Sequence, residues 1–489
     1  MKSIKSEREK ELFNQAYEEV EKYKVIVSKD PFRLNYHIMP PVGLLNDPNG
    51  FIHFKGVYHL FYQWNPFETK HGAKFWGHYT SADLVHWEHQ PIALAPSEWY
   101  EKNGCYSGSA IEHEGKMFLF YTGNVKDEEG NRKTYQCLAV SEDGIHFEKK
   151  GPIIHLPNGY TAHFRDPKVW KKGDAWYLVI GAQSEKGEGR AVLYSSKDLY
   201  TWEYLGPIAG GNINGLGEFG YMWECPDLFE LDGQDVLIVS PQGLKPRGYL
   251  YNNLYQTGYF VGRMDYENVT FEHGGFVELD RGFDFYAPQT TLDKKGRRIL
   301  FGWMGIPEEN EPFHPTIDYH WIHCMTIPRK LELKHGKLYQ KPVEELQKLR
   351  EKGITYLDVR INGKPIELEL VNGKSVEIII DSITYDTERF EISLNGKARF
   401  IYTPSKKIAT LERKSLKEDK IEARHCELES LHKLHIFLDS SSVEIFLNDG
   451  EEVFSSRIFG NVIDESIVFS SAGEISFNLR KWTLKKVFD

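Results

Sequence analysis

A short pattern recurring at intervals near 60 residues constrains the fold of this chain more than any other feature. Ser81-Ala82-Asp83-Leu84-Val85-His86-Trp87 resembles Ser141-Glu142-Asp143-Gly144-Ile145-His146-Phe147 and Ser196-Lys197-Asp198-Leu199-Tyr200-Thr201-Trp202. Met264-Asp265-Tyr266-Glu267-Asn268-Val269-Thr270-Phe271 follows it more loosely. The closing aromatics Trp87, Phe147, Trp202 and Phe271 stand 60, 55 and 69 residues apart. Between the copies, alternating runs such as Val57–Tyr62 and Met117–Tyr121 are separated by Gly, Asn and Asp, which reads as short strands joined by turns. Taken singly the pattern is an ordinary hairpin sequence. Recurring near-evenly with several strands per unit, it suggests propeller blades, roughly five over about 300 residues.

The flanks read differently. A chain of 489 residues exceeds one ordinary core, so two or three domains are expected. Leu12, Phe13, Ala16, Tyr17 and Val20 share one face of a helix within residues 5–25, with Glu18 and Lys22 as an i,i+4 pair. This predicts a helical extension over 1–32, followed by the propeller over 33–340. Residues 341–354 read as a linker helix, with Pro342 at its first position and Gly353 at its stop. From 355 to 489, frequent turns (Asn362-Gly363, Asn372-Gly373, Asn395-Gly396, Asp449-Gly450) predict a β-sandwich. Val443–Leu447, Asn448-Asp449-Gly450 and Val453-Phe454 signal a hairpin within it. The predicted class is all-β.

The formal net charge of −11 argues against nucleic acid and anionic membrane as partners. Cys105, Cys137, Cys225, Cys324 and Cys426 are scattered and form no CxxC, so neither a metal cluster nor a disulfide framework is expected. The first residues lack the apolar core of a signal peptide, and no run of 18 apolar residues occurs. A cytoplasmic protein, monomer or homodimer, is the simplest expectation.

Three acidic segments point to chemistry. Asn46-Asp47-Pro48-Asn49-Gly50 is rich in turn formers and, taken alone, reads as a tight turn. Its functional reading is a turn that thrusts Asp47 into a cavity, where the Asn46 and Asn49 amides keep it ionised. Arg165-Asp166-Pro167 reads as an ion pair or turn, or as a second carboxylate gripping sugar hydroxyls. Glu224 follows Tyr221-Met222-Trp223 and precedes Cys225-Pro226; it reads as a strand-end acid, or as a carboxyl raised in pKa by apolar neighbours to serve as general acid. Carboxylates on separated turns, in a chain with 14% aromatic residues, suit a carbohydrate site.

These segments resemble glycoside hydrolase family 32, the β-fructosidases. The string HIMPPVGLLNDPNGFIHFKGVYHLFY (37–62) carries the likeness, as do WGHYTSADLVHW (76–87), YSGSA (106–110), FRDPKVW (164–170), GYMWECPDLF (220–229), ELDRGFDFYAPQ (278–289), GWMG (302–305) and LDSSSVEIFLNDGE (438–451). The resemblance implies a five-bladed propeller with the site in its central channel, followed by a β-sandwich. It implies Asp47 as nucleophile, Glu224 as acid/base and Asp166 as transition-state stabiliser. Asn46, Gln63, Ser109, Arg165 and Trp303 match family positions near the fructosyl unit and Tyr286 is expected nearby; His71 and Trp76 are further candidate substrate contacts.

The implied reaction is retaining hydrolysis of sucrose or sucrose 6-phosphate, with the two reacting carboxyls about 5–5.5 Å apart and no metal or cofactor. Fructosyl transfer and fructan exo-hydrolysis are the enzymatic alternatives; a non-catalytic sugar-binding protein is a third, weakened by the presence of both Asp47 and Glu224. Two departures stand out. Leu44-Leu45 replace the family's aromatic-Met, and His71 occupies a Trp position in a Lys-His-Gly loop that resembles a cytoplasmic branch of the family. Lys70, His71, Lys74, Lys245 and Arg247 are candidate contacts to a phosphate.

Overall fold

The computed structural model describes residues 6–488. A helix spans Glu7–Val27, and the Ser6 hydroxyl accepts a hydrogen bond from the Glu9 amide at its start. Leu12, Phe13 and Ala16 are buried against the body and Val20 packs beside them. Lys22 pairs with Glu19 rather than Glu18. Both lie on the same helical surface as Lys22, three and four residues away, so the shorter spacing competes directly.

From Gly43 to Pro342 the chain forms five antiparallel sheets of four principal strands each. Their first strands are Gly43–Phe54, Cys105–His113, Tyr160–Lys172, Met222–Leu231 and Tyr286–Leu292. Each of these touches its counterpart in the next sheet, and the last touches the first. This ring is the five-bladed propeller. It is closed by Trp321–Ile322, which pairs in parallel with Gly43–Leu44, and by Cys324–Met325, which pairs with Trp303–Met304 of the fifth blade.

The sequence repeat is the turn between the third and fourth strands of a blade. Asp83, Asp143 and Asp198 each accept backbone N–H groups two and three residues on, at 2.7–3.1 Å. The next residue has positive φ in all three: 67° at Leu84, 80° at Gly144 and 68° at Leu199. The indoles of Trp87 and Trp202 then close the turn onto the Leu84 and Leu199 carbonyls. Backbone geometry therefore favours the Ser-x-Asp and the closing aromatic, which is why the pattern recurs in blades one to three.

The innermost strands break register in a shared way. Asn46 and Asp47 together oppose Gln63 alone, between the pairs Leu45↔Trp64 and Pro48↔Tyr62. Asp166-Pro167, Cys225-Pro226 and Ala287-Pro288 form equivalent two-for-one bulges in blades three, four and five. In blade two Ser107 is the single extra residue. Three of these residues sit at positive φ: Asp166 at 68°, Cys225 at 47° and Ala287 at 46°. The acidic segments are thus bulges inside strands, not the turns expected from sequence. Proline lacks the N–H a ladder needs, so in a strand it settles at an edge or a bulge. Here it does both, because the inner strand is the free edge of its blade.

The expected linker helix is shorter than 341–354. Glu344–Leu349 form a 3-10 helix, and a strand begins at Arg350, with Gly353 inside it. Arg350 makes two 2.7 Å hydrogen bonds to Glu377 and stacks on Trp482, which draws the chain into a sheet against its local helical preference. Two six-stranded sheets follow and pack their apolar faces together. They include the expected hairpin, formed by Ser442–Leu447 and Glu452–Arg457 with Asn448 and Asp449 at positive φ.

The sandwich and propeller are joined by buried charge. His37 Nδ1 lies 2.9 Å from Asp439 and its Nε2 3.0 Å from Glu444; Arg329 bridges Glu444 to Asp280. Among the described residues no helix is long and apolar enough to cross a membrane. No group of three His, Cys, Asp or Glu side chains there is placed to hold a metal ion. The five cysteines are unpaired.

Candidate active site

The inner strands converge on a cavity of about 680 Å³, within the usual range for a small-molecule site. Asp47, Asp166 and Glu224 line it, from blades one, three and four. Each is carried by a bulge or lies next to one, so one extra residue per strand turns a carboxylate inward that strict alternation would place elsewhere.

Asp47 accepts the Ser107 hydroxyl at 2.5 Å and the Asn46 amide at 3.2 Å. Burial pushes its pKa up, the Ser107 hydrogen bond pulls it down, the Glu224 charge adds to the rise and Asn46 opposes it. Asn49 does not reach Asp47; its Oδ1 accepts from the Gly108 amide and pins blade one to blade two.

Glu224 is held from three sides. Arg165 donates through Nε at 3.0 Å and Nη2 at 2.5 Å, Gln242 at 2.8 Å and the Tyr286 hydroxyl at 2.6 Å. The expected apolar setting for Glu224 is therefore replaced by a polar, charge-paired one, because the aromatic residue before it in sequence, Trp223, turns the other way into the core. Asp166 accepts the Cys225 amide at 3.1 Å. Burial lifts its pKa to about 7; Arg165 opposes this, and Glu224 and Asp47 reinforce it. The three carboxyls thus share the cavity with the Arg165 guanidinium, which is held against Glu224.

Asn46, Gln63, His71, Arg165, Tyr286 and Trp303 all line the cavity. Gln63 donates to the Cys105 carbonyl at 2.9 Å. His71 is fixed by Glu311, whose Oε1 lies 3.0 Å from both His71 and His323 and ties the 67–74 loop to the segment between the second and third principal strands of the fifth blade. The ring of His71 meets Trp303 edge-on at 6.1 Å. Four buried polar atoms of lining residues lack a hydrogen-bond partner: Asn46 Oδ1, Lys74 Nζ, Asn124 Oδ1 and Trp303 Nε1. Groups left unsatisfied on a cavity wall suit a ligand rich in hydroxyls.

Two expected residues lie elsewhere. Trp76 is fully buried, with its indole donating to the Tyr106 carbonyl, and is outside the cavity lining. Ser109 donates to the Pro167 carbonyl and accepts from the Val169 amide, stitching blade two to blade three. Ser107 occupies the place expected of Ser109. Of the proposed phosphate contacts, Lys70, Lys245 and Arg247 do not line the cavity, whereas His71 and Lys74 do. Sequence reasoning missed Ser107, Gln242, Lys126 and Arg132. Ser107 could have been found from its place in Tyr106-Ser107-Gly108-Ser109; the other three carry no local signal.

Comparisons with known proteins agree with this geometry. Residues 37–342 match the family model described as Glycosyl hydrolases family 32 N-terminal domain, and 345–484 match Glycosyl hydrolases family 32 C terminal. The chain is 56% identical to a sucrose-6-phosphate hydrolase of Bacillus subtilis over 97% of its own length and 99% of that protein's. Among solved structures, sucrose-6-phosphate hydrolase from Lactobacillus gasseri superposes with a TM-score of 0.87 at 31% identity, covering 96% of this chain and 97% of that one. The GH32 β-fructofuranosidase of Bombyx mori gives 0.84 at 36%, covering 97% and 98%.

Proposed function

The chain belongs to glycoside hydrolase family 32, and from that membership we propose that it is a β-fructofuranosidase that hydrolyses sucrose or sucrose 6-phosphate with retention. A carboxylate oxygen of Asp47 bonds to the anomeric C2 of the fructosyl unit as the bond from C2 to the glycosidic oxygen breaks. Glu224 gives its proton to that departing oxygen, releasing the aldose. Water then adds at C2 as Glu224 takes its proton, and the bond to Asp47 breaks to free fructose. Asp166 and Arg165 hold the fructosyl hydroxyls, with contacts that tighten as oxocarbenium character develops.

The convergence of Asp47, Asp166 and Glu224 from three blades on one cavity carries this reading. The Ser107 and Asn46 donors on Asp47 favour the charged nucleophile, against the burial that opposes it. Five unpaired thiols support a cytoplasmic setting.

Asp47→Asn keeps the shape and removes the nucleophile. It should lower kcat on sucrose about a thousandfold or more with little change in KM, as loss of a transition-state interaction requires. Near-wild-type turnover in that variant would remove Asp47 from the mechanism.

A further inference from the structure

One wall of the cavity carries basic side chains that form no ion pair with a carboxylate among the described residues. Lys126 and Arg132 face each other across a hairpin of blade two, as a register pair of its second and third strands. Both line the cavity. Neither comes within ion-pair distance of a carboxylate among the described residues; Arg132 instead stands over the Tyr106 ring at 5.9 Å. Lys126 is exposed and Arg132 half-buried, so this pair lies nearer the mouth than the buried Asp166. Lys74 continues the same wall: its carbonyl accepts from the Cys105 amide, next to Asn103, whose side chain holds the Lys126 amide. Its Nζ is buried without a hydrogen-bond partner. The opposite wall has the reverse character. Tyr221, Tyr255 and the acidic Glu308 line it.

This contrast marks where a charged substituent can sit. The fructosyl unit belongs at the acids, so the leaving sugar occupies the outer part, between the cationic and the tyrosine walls. A phosphate monoester there carries close to two negative charges. It is repelled by Glu308 and met by the planar donor fork of Arg132, which suits a phosphate's paired oxygens. Resting on the hydrolase reading above, we propose that Arg132 and Lys126, backed by Lys74, form the site that recognises a phosphate ester on the leaving aldose, and that they set the preference for sucrose 6-phosphate over sucrose.

The test is kcat/KM on both sugars for the wild type, Arg132→Gln and Lys126→Gln, with glucose 6-phosphate and glucose compared as inhibitors. The expected result is a wild-type preference for the phosphorylated sugar. Arg132→Gln should lower the ratio of the two kcat/KM values at least tenfold and Lys126→Gln several-fold, while glucose 6-phosphate loses its inhibitory advantage over glucose in step. Lys126 is a surface side chain, so its variant folds and keeps the test decisive. Equal losses on both sugars, or an unchanged ratio, would overturn the phosphate site while leaving the hydrolase intact. So would a wild type that cleaves sucrose but gains nothing from phosphate. A wild type that cleaves neither sugar would instead strike the underlying functional reading.

Discussion

At the residue scale, the catalytic setting depends on which serine faces Asp47. Ser107 donates to it at 2.5 Å and lowers its pKa against the lift from burial. Ser107→Ala removes that pull, so the pKa of Asp47 rises and its ionised form, which the proposed mechanism needs, persists only at higher pH. The acid limb of kcat/KM should shift upward in pH, and activity at its plateau should fall about tenfold, as expected for a hydrogen bond to a charged group. An unmoved acid limb would mean that another group controls it. Asp47, Asp166 and Glu224 were legible because each stands in a distinctive segment. Ser107 was passed over for Ser109 in the same legible segment, because the bulge at Tyr106–Gly108 reverses which side chains point inward and no one-dimensional alternation shows that. Trp76 illustrates the converse: a motif tryptophan that resembles a sugar platform serves as core beneath the site.

At the scale of single strands, the bulges require close backbone approach behind them. Gly181, on the second strand of blade three, lies against blade four. A Cβ there would fall 2.2 Å from the Trp223 carbonyl and 3.3 Å from the Glu224 Cα. Gly181→Ala must push the blade-four strand inward, displacing Glu224. A destabilisation of about 1–3 kcal/mol is expected from such overpacking, with kcat reduced at least tenfold. Thermal melting and steady-state rates measured on the same sample check both; a melt lowered with kcat intact would show that the strain relaxes away from Glu224. The strands and the repeated Ser-x-Asp turns were readable in advance, since turn chemistry is local. The linker helix was misjudged because Arg350 finds Glu377 and Trp482, partners remote in sequence.

At the scale of the whole molecule, propeller and sandwich meet through His37, set between Asp439 and Glu444. Burial lowers its pKa, yet the two carboxylates outweigh burial and raise it overall. A histidine with a raised folded-state pKa contributes its full stabilisation below the unfolded value, near 6.5, and loses it as pH rises through the folded value. Wild-type stability should therefore carry a downward slope above about pH 6.5 that His37→Gln lacks. The variant should also be less stable at pH 6 by about 3 kcal/mol, since two buried carboxylates lose their shared partner. Denaturant titrations at a series of pH values measure both, and parallel curves for the two proteins would show a neutral His37. Sequence alone revealed both halves of the molecule but not this contact, whose partners stand about 400 residues apart.

The strap at Trp321–Ile322, which joins the last blade to the first, gives the chain a schedule as well as a shape. During synthesis Asp47 leaves the ribosome early, yet the ring around it cannot close until residue 322 has emerged. At roughly 5–20 residues per second, that is a wait of some tens of seconds. The nascent chain meanwhile holds an open crescent whose inner edges are unpaired, and the proline-bearing bulges along those edges make them poor templates for pairing with another chain. The irregularities that aim the carboxylates thus also protect the protein before it has any activity to protect.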